Sequence, residues 1–171
     1  AGGEFEIGST NKTTIAIIDG GIDGAHADLS GKLLSAGPTA RSQDCSSGAC
    51  LDTQNPPTPA CNHATRTAGI AAAATNNGIG IAGVSWGAQL LSLKVFPDGL
   101  CNPAGDCPGG CGATDASIVA AINYANALQN TAAAGKVVIN MSLGAPGACD
   151  PTLGAAIATS IAAGIPVIIA A

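Results

Sequence analysis

Asp19 and His63 are the residues of this chain whose types and settings suit proton-transfer chemistry. Asp19 closes the apolar run Ile15-Ala-Ile-Ile18 and is followed by Gly20-Gly21-Ile22-Asp23. His63 opens the run His63-Ala-Thr-Arg-Thr-Ala-Gly-Ile70. In open parallel sheets the cleft lies at the carboxyl ends of the strands, and an aspartate there can orient an imidazole, accept a phosphoryl group or bind a metal. The plainer reading is a turn residue, since Asp-Gly-Gly is good turn chemistry. A histidine at the start of a helix can reach into a cleft while the first turn holds its backbone. A lone histidine is more often structural, but Asp followed by His supplies two groups of a Ser-His-Asp constellation in one of its known chain orders.

The elements that must position these two residues follow from hydrophobic pattern. Four apolar, β-branched runs read as buried strands: Thr13–Ile18, Gln89–Phe96, Lys136–Met141 and Pro166–Ala171. Helix-like segments lie between them at His63–Ala74, Thr114–Leu128 and Pro151–Ala163. Ile118, Ile122, Tyr124 and Ala125 give the middle helix an apolar stripe. Asp115 at its start complements the helix dipole. Asp150 before Pro151 reads as an N-cap with proline at the first helical position. Strands alternating with helices predict an α/β fold whose mostly parallel sheet is covered on both faces. Ser35–Pro59, with Pro56-Pro57, and Pro97–Gly112 read as long irregular segments, and such loops are usually functional or stapled.

At 171 residues the chain is long enough for one sizeable domain, which buries roughly 70% of its unfolded surface. Apolar residues are 47% of it and aromatics 2%, so alanine and glycine do much of the packing. A net charge of −5 argues against nucleic acid or an anionic membrane as partner. No apolar run is long enough to span a bilayer. Ala1–Phe5 lacks a basic, apolar leader and is expected to be a processed start or a fusion scar. Seven cysteines stand at 45, 50, 61, 101, 107, 111 and 149. The loop settings of Cys45, Cys50, Cys101 and Cys107 favour disulfides and an oxidising, secreted environment. Zinc is the weaker reading, because no Cys-x-x-Cys pair is present. An odd count leaves one cysteine free or paired outside the chain, with Cys149 the first candidate. Asn11-Lys-Thr13 and Asn140-Met-Ser142 match the glycosylation sequon, but the second falls in a strand expected to be buried at the cleft.

The flanking segments then carry a resemblance. Ile15-Ala-Ile-Ile-Asp-Gly-Gly-Ile-Asp-Gly-Ala-His-Ala-Asp-Leu29 resembles the aspartate motif of subtilisin-like serine proteases, the subtilases. Asn62-His-Ala-Thr-Arg-Thr-Ala-Gly-Ile70 is similar to their His-Gly-Thr-His-Val-Ala-Gly motif. Asn76-Asn-Gly-Ile-Gly-Ile-Ala-Gly-Val84 and Val138-Ile-Asn-Met-Ser-Leu-Gly144 match two further segments, all in the family's order. The resemblance implies a three-layer subtilisin-like fold, incomplete in this chain alone, with residues 1–171 the N-terminal part of one catalytic domain. It implies Asp19 as the orienting carboxylate and His63 as general base and then general acid. It implies that Ser142, Leu143 and Gly144 form one wall of a substrate cleft and Cys111, Gly112 and Ala113 the facing one, with a peptide or protein substrate bound as an added strand.

The resemblance also implies a structural calcium ion held by the carbonyls of Thr75, Ile79 and Ile81, the Asn77 side chain and the Asp28 carboxylate. Gly78-Ile-Gly-Ile-Ala-Gly83 fits Gly-x-Gly-x-x-Gly as well, but it follows a helix and leads into a strand, the reverse of a dinucleotide site. Three departures stand at the motifs. Gly20 replaces a Ser or Thr whose hydroxyl helps fix the carboxylate, Ala64 replaces a glycine, and Arg66 replaces a histidine on the His63 side of the helix, where its charge would disfavour imidazolium. The family's Gly-Asn and Gly-Thr-Ser motifs do not occur in the 171 residues. The expectation is therefore a secreted, nicked serine endopeptidase in which a C-terminal chain of the same precursor supplies the oxyanion Asn and the nucleophilic Ser. Alternatives are an inactive subtilase-like binding or regulatory protein and, more remotely, a phospho-acceptor or nucleotide-binding module built on Asp19.

Overall fold

The computed structural model describes residues 12–34, 42–52, 62–97, 111–148 and 150–170. Asn11, Pro56-Pro57, Cys61, Cys101, Cys107, Cys149 and Ala171 lie outside the described residues. Five strands, β1 (Thr13–Asp19), β2 (Gln43–Asp44), β3 (Gln89–Lys94), β4 (Lys136–Met141) and β5 (Val167–Ile169), form one sheet in the order β2-β3-β1-β4-β5. Every pairing among them is parallel. Three helices, α1 (His63–Ala72), α2 (Asp115–Leu128) and α3 (Pro151–Ala162), connect them, with one 3-10 turn at Ala27–Leu29.

The near-continuous apolar runs of β1 and β3 have a simple cause: both faces of the sheet are covered there, whereas Ile168 and Ile169 of β5 are exposed. Ala16 and Ile18 of β1 pack with Leu91, Leu93, Val137 and Ile139 against Ile118, Ile122 and Ala125 of α2 and Ala156 of α3. Ile17, between them, points the other way and packs with Leu90 against Ala64, Ala68 and Ala72 of α1. Those three alanines recur every fourth residue, so one helix face is small enough to lie close on the sheet. Each fully buried Ile or Leu contributes roughly 1.5–3 kcal/mol of transfer free energy.

The helices start where capping chemistry places them. Thr114 Oγ1 accepts the Ser117 N–H at 3.1 Å at the head of α2. Asp150 accepts the N–H groups of Thr152 and Leu153 at 2.8 and 3.1 Å, with Pro151 in the first turn of α3. Those hydrogen bonds, Leu153 first, hold the Asp150 carboxyl below its ordinary range. α1 ends at Ala72, two residues before the expected Ala74, because the Ala74 N–H leaves the helix to donate to Asp28 O at 2.8 Å. β3 and β5 are likewise shorter than their apolar runs.

β2 lies inside the segment expected to be irregular. Two polar residues show no hydrophobic period, so nothing in their pattern announces a strand. Asp44 pairs antiparallel with Leu51, and the Cys45–Cys50 disulfide closes the loop between them. Cys111 is disulfide-bonded too. Among the described residues no helix is long and apolar enough to cross a membrane.

Candidate active site

The strand order puts β1 at the centre, with β3 on one side and β4 on the other. The chain fills the β3 side first and then crosses to the β4 side, so β1 and β4 flank a switch point of the kind where α/β sheets open a crevice. Asp19 is the last residue of β1 and stands at the carboxyl edge of this crevice. Residues 142–144 leave β4 at the same edge, and α1 begins there with His63.

The structure brings Asp19 and His63 together across 44 residues of chain: His63 Nδ1 lies 2.8 Å from Asp19 Oδ2. The Asp19 side chain is 3% exposed and the His63 ring 37%. The bond engages Nδ1 and leaves Nε2 as the ring nitrogen not bound to the carboxylate. Asn62 makes no side-chain cap at the head of α1, so the ring is oriented by Asp19. Gly20 does not leave Asp19 Oδ1 bare, because its backbone N–H donates to that oxygen at 2.6 Å. The loop after β1 is secured by two hydroxyls that the sequence reading did not single out. Ser92 Oγ accepts the Ile22 N–H at 2.9 Å, and Thr65 Oγ1 of α1 accepts the Asp23 N–H at 2.9 Å. Arg66 lines a hollow of about 370 Å³ with Asp28, Thr65, Ile70 and Ile81.

Burial pushes the Asp19 carboxyl above the ordinary carboxylate range, and the Gly20 N–H and the His63 ring offset only part of that. Folded Asp19 thus holds its proton to higher pH than the unfolded chain does. Ionising it costs stability as pH rises through the window between the unfolded and the raised folded value. Asp19→Asn, which cannot ionise, is expected to gain stability relative to wild type across that window and to match it more closely below. Urea unfolding midpoints of both proteins on the acid side of neutrality check this, and a gap independent of pH would contradict it.

Ser142, Leu143 and Gly144 run on from β4 without regular structure. Ser142 Oγ accepts from Asn140 Nδ2 at 3.0 Å, while Leu143 packs into the core beneath α2. Gly112 and Ala113 precede α2; Gly112 is exposed and Ala113 packs on that same core. Among the described residues, no backbone hydrogen bond uses the N–H or C=O groups of Ser142–Gly144 or of Gly112 and Ala113. These are open main-chain donors and acceptors of the kind an extended peptide can pair with.

The expected cation ligands come together in a loop. Asp28 Oδ1 accepts from Asn77 Nδ2 and Oδ2 from the Ile81 N–H, each at 2.8 Å. These bonds, the Asn77 amide first, hold the Asp28 carboxyl below its ordinary range. Asn76, Gly78 and Gly80 adopt positive φ, which curls the loop, and a Cβ on Gly80 would overlap the Asp28 carboxylate. Thr75 Oγ1 is buried without a hydrogen-bond partner. A carboxylate, an amide and backbone carbonyls suit a hard divalent cation. The fit requires one change: the Asn77 amide turns its NH2 to Asp28, and ligation by its oxygen needs a half-turn. Among the described residues no three His, Cys, Asp or Glu side chains cluster as a metal site.

Known proteins resemble this arrangement in both sequence and fold. The profile of the Subtilase family matches residues 10–171. The chain is 32% identical to an extracellular protease of Xanthomonas campestris pv. campestris, over 93% of this chain and 29% of that protein. It is 36% identical to a thermophilic serine proteinase of a Bacillus strain, over 80% of this chain and 26% of that protein. A solved protease of Pseudoalteromonas arctica superposes with a TM-score of 0.69 at 27% identity, over 97% of this chain and 51% of that one. The chain therefore spans less than a third of those two curated relatives. A family profile matching nearly the whole length, four motifs in the family's order and a shared fold place this chain in the Subtilase family.

Proposed function

We propose that this chain supplies the acid–base half of a secreted serine endopeptidase. The carrying observation is the 2.8 Å contact between His63 Nδ1 and Asp19 at the carboxyl edge of the central strand. His63 Nε2 takes the proton of a serine hydroxyl as its oxygen attacks the scissile carbonyl carbon. The imidazolium then gives that proton to the leaving amine nitrogen as the C–N bond breaks. Asp19 stays ionised throughout, holds the Nδ1–H tautomer and offsets the charge that forms on the ring. The substrate lies extended between Ser142–Gly144 and Cys111–Ala113 and pairs with backbone groups along these two segments. The names of the relatives, among them extracellular proteases, support secretion and a peptide or protein substrate.

Among the described residues no serine hydroxyl is hydrogen-bonded to His63. In this reading the nucleophile and the oxyanion Asn come from a C-terminal chain of the same precursor, and residues 1–171 are the N-terminal part of one catalytic domain. A fluorophosphonate probe applied to the protein purified from its native source, followed by non-reducing and reducing mass spectrometry, tests both points. Label on a serine of a companion chain is the expected result. Label on a single longer polypeptide would remove the two-chain arrangement, and no label at all would remove the peptidase reading.

The same reading places a calcium ion at Asp28, Thr75, Asn77, Ile79 and Ile81, where it would brace the loop against the C-terminal end of α1. A ligand at 100 times its Kd stabilises by about 2.7 kcal/mol, which in a domain of this size is a Tm shift of roughly 5–10 °C. Chelation is expected to lower Tm by that amount, and Asp28→Asn to abolish the response. A wild-type Tm indifferent to chelator rules the ion out.

A further inference from the structure

One pair of residues in the loop after α1 carries chemistry of a different kind from cation ligation. Asn77 is followed by Gly78, and no other Asn-Gly pair occurs in the 171 residues. Both residues are exposed. Gly78 takes a φ of +76°, and a Cβ placed there would meet nothing within 4 Å. Among the described residues the Gly78 N–H donates to no backbone or side-chain acceptor. The Asn77 side chain, by contrast, is held at both ends. Its amide nitrogen donates to Asp28 Oδ1 at 2.8 Å, and its Oδ1 accepts the Ile79 N–H at 3.3 Å. The loop curls about an open hollow of about 280 Å³ lined by Ala74, Asn76, Asn77, Gly78 and Ile79, so water reaches the amide.

An asparagine amide is open to attack by the main-chain nitrogen of the next residue, which makes asparagine a thermolabile side chain. A side chain on that next residue shields the nitrogen, and glycine has none. A free N–H matters too, because the nitrogen must lose its proton to react. The Ile79 N–H draws electron density from the Asn77 carbonyl and leaves its carbon more electrophilic. We propose that Asn77-Gly78 is a site of spontaneous deamidation. Gly78 N gives its proton to hydroxide and attacks Asn77 Cγ, closing a five-membered imide. The Cγ–Nδ2 bond breaks, and the nitrogen takes a proton from water and leaves as ammonia. Water then opens the imide at either carbonyl, which leaves aspartate or isoaspartate at position 77.

The product changes how the loop is held. An acidic residue at 77 has no N–H to offer Asp28 and sets a second carboxylate against the first, so an attractive contact becomes a repulsion of like charges. Asp28 is the hub of this region. Its Oδ2 accepts the Ile81 N–H and its backbone oxygen accepts the Ala74 N–H just past α1, each at 2.8 Å. Isoaspartate also lengthens the main chain by one atom at that point. Asn76 serves as a reference inside the same loop. It is exposed and has a φ of 62°, but it precedes Asn77, whose side chain shields the main-chain nitrogen.

The test ages the full-length protein in mildly alkaline buffer with a chelator, and with a fluorophosphonate so that proteolysis does not interfere. Peptide mapping by mass spectrometry then follows each asparagine. Asn77 is expected to convert to aspartate and isoaspartate, faster as pH rises, while Asn76 keeps its amide. Gly78→Ala places a methyl beside the attacking nitrogen and is expected to lose the conversion over the time in which wild type completes it. Asn77→Gln, whose longer amide closes a less favoured six-membered ring, is expected to do the same. It serves if alanine is not tolerated at the positive φ. Asn77→Asp reads the consequence directly: its Tm in chelator is expected to fall by roughly 3–12 °C, the loss of a hydrogen bond to a charged group in a domain of this size. Wild type is expected to drift toward the same Tm as it ages. An Asn77 that stays intact, or that converts at the same rate as Asn76 and in Gly78→Ala, overturns the proposal. An Asn77→Asp protein with the wild-type Tm overturns the effect on the loop.

Discussion

His63→Ala is expected to lower kcat of the completed enzyme by about 10⁶-fold, and Asp19→Asn by about 10⁴-fold. The first magnitude is that of subtilisin and the second that of the asparagine variant of another Ser-His-Asp protease, and both hold on the proposed peptidase reading. The asymmetry has a physical cause. Without His63, nothing within reach of the nucleophile accepts its proton. Without the Asp19 charge, the imidazole is still present but its tautomer and orientation are no longer enforced through Nδ1. The double variant should be no slower than His63→Ala alone, because a carboxylate with no imidazole to orient contributes nothing. Steady-state hydrolysis of a peptide anilide by the full-length variants measures all three. A His63→Ala enzyme retaining more than about one part in a hundred of wild-type kcat would show that another group takes the proton.

Gly83→Ala is expected to cost about 2–4 kcal/mol of stability, the range for a forced overlap in a packed interior. A Cβ there would overlap the backbone of Ala72 and Ala73, where the chain leaves α1. The strands of contact run through this point: Gly83 N–H reaches Ala73 O at 3.4 Å, Val84 N–H reaches Ile70 O at 3.0 Å, and Ser85 N–H reaches Ala71 O at 2.9 Å. Backbone cannot yield as a flexible side chain would, so relief requires moving the loop away from α1. The damage should then reach the site, since α1 carries His63 at its other end. Gly144→Ala is the control. A Cβ there meets nothing within 4 Å, and its stability effect should stay within roughly 0.5 kcal/mol. Denaturant midpoints compare the two, and equal losses would show that the contact at Gly83 carries no strain.

Much of the architecture was legible because it rests on local rules. The run Thr13–Ile18 is apolar from Ile15 onward because both faces of β1 are covered, and the structure ends that strand at Asp19. Asp150-Pro151 announces α3 because an acceptor is needed at the N-cap and proline needs no partner at the first position. β2 escaped notice because two polar residues, Gln43 and Asp44, have no period to read. They are strand only because β3 offers an open edge and the Cys45–Cys50 loop holds them against it. Thr65 and Ser92 escaped for a related reason. Their hydroxyls bond backbone groups 42 and 70 residues away, and such pairings leave no mark on nearby sequence.

The sequence by itself determined the element types, the family motifs and the chemical identities of Asp19 and His63. Residue type and short-range spacing are enough for these. Only the tertiary structure decided that the two meet at 2.8 Å and that the Gly20 N–H occupies the oxygen left without a hydroxyl partner. It also decided that Lys94 lies in register between two aspartates. Those facts depend on strand order and on the helix face laid against the sheet, which the chain settles by burying apolar surface over long separations.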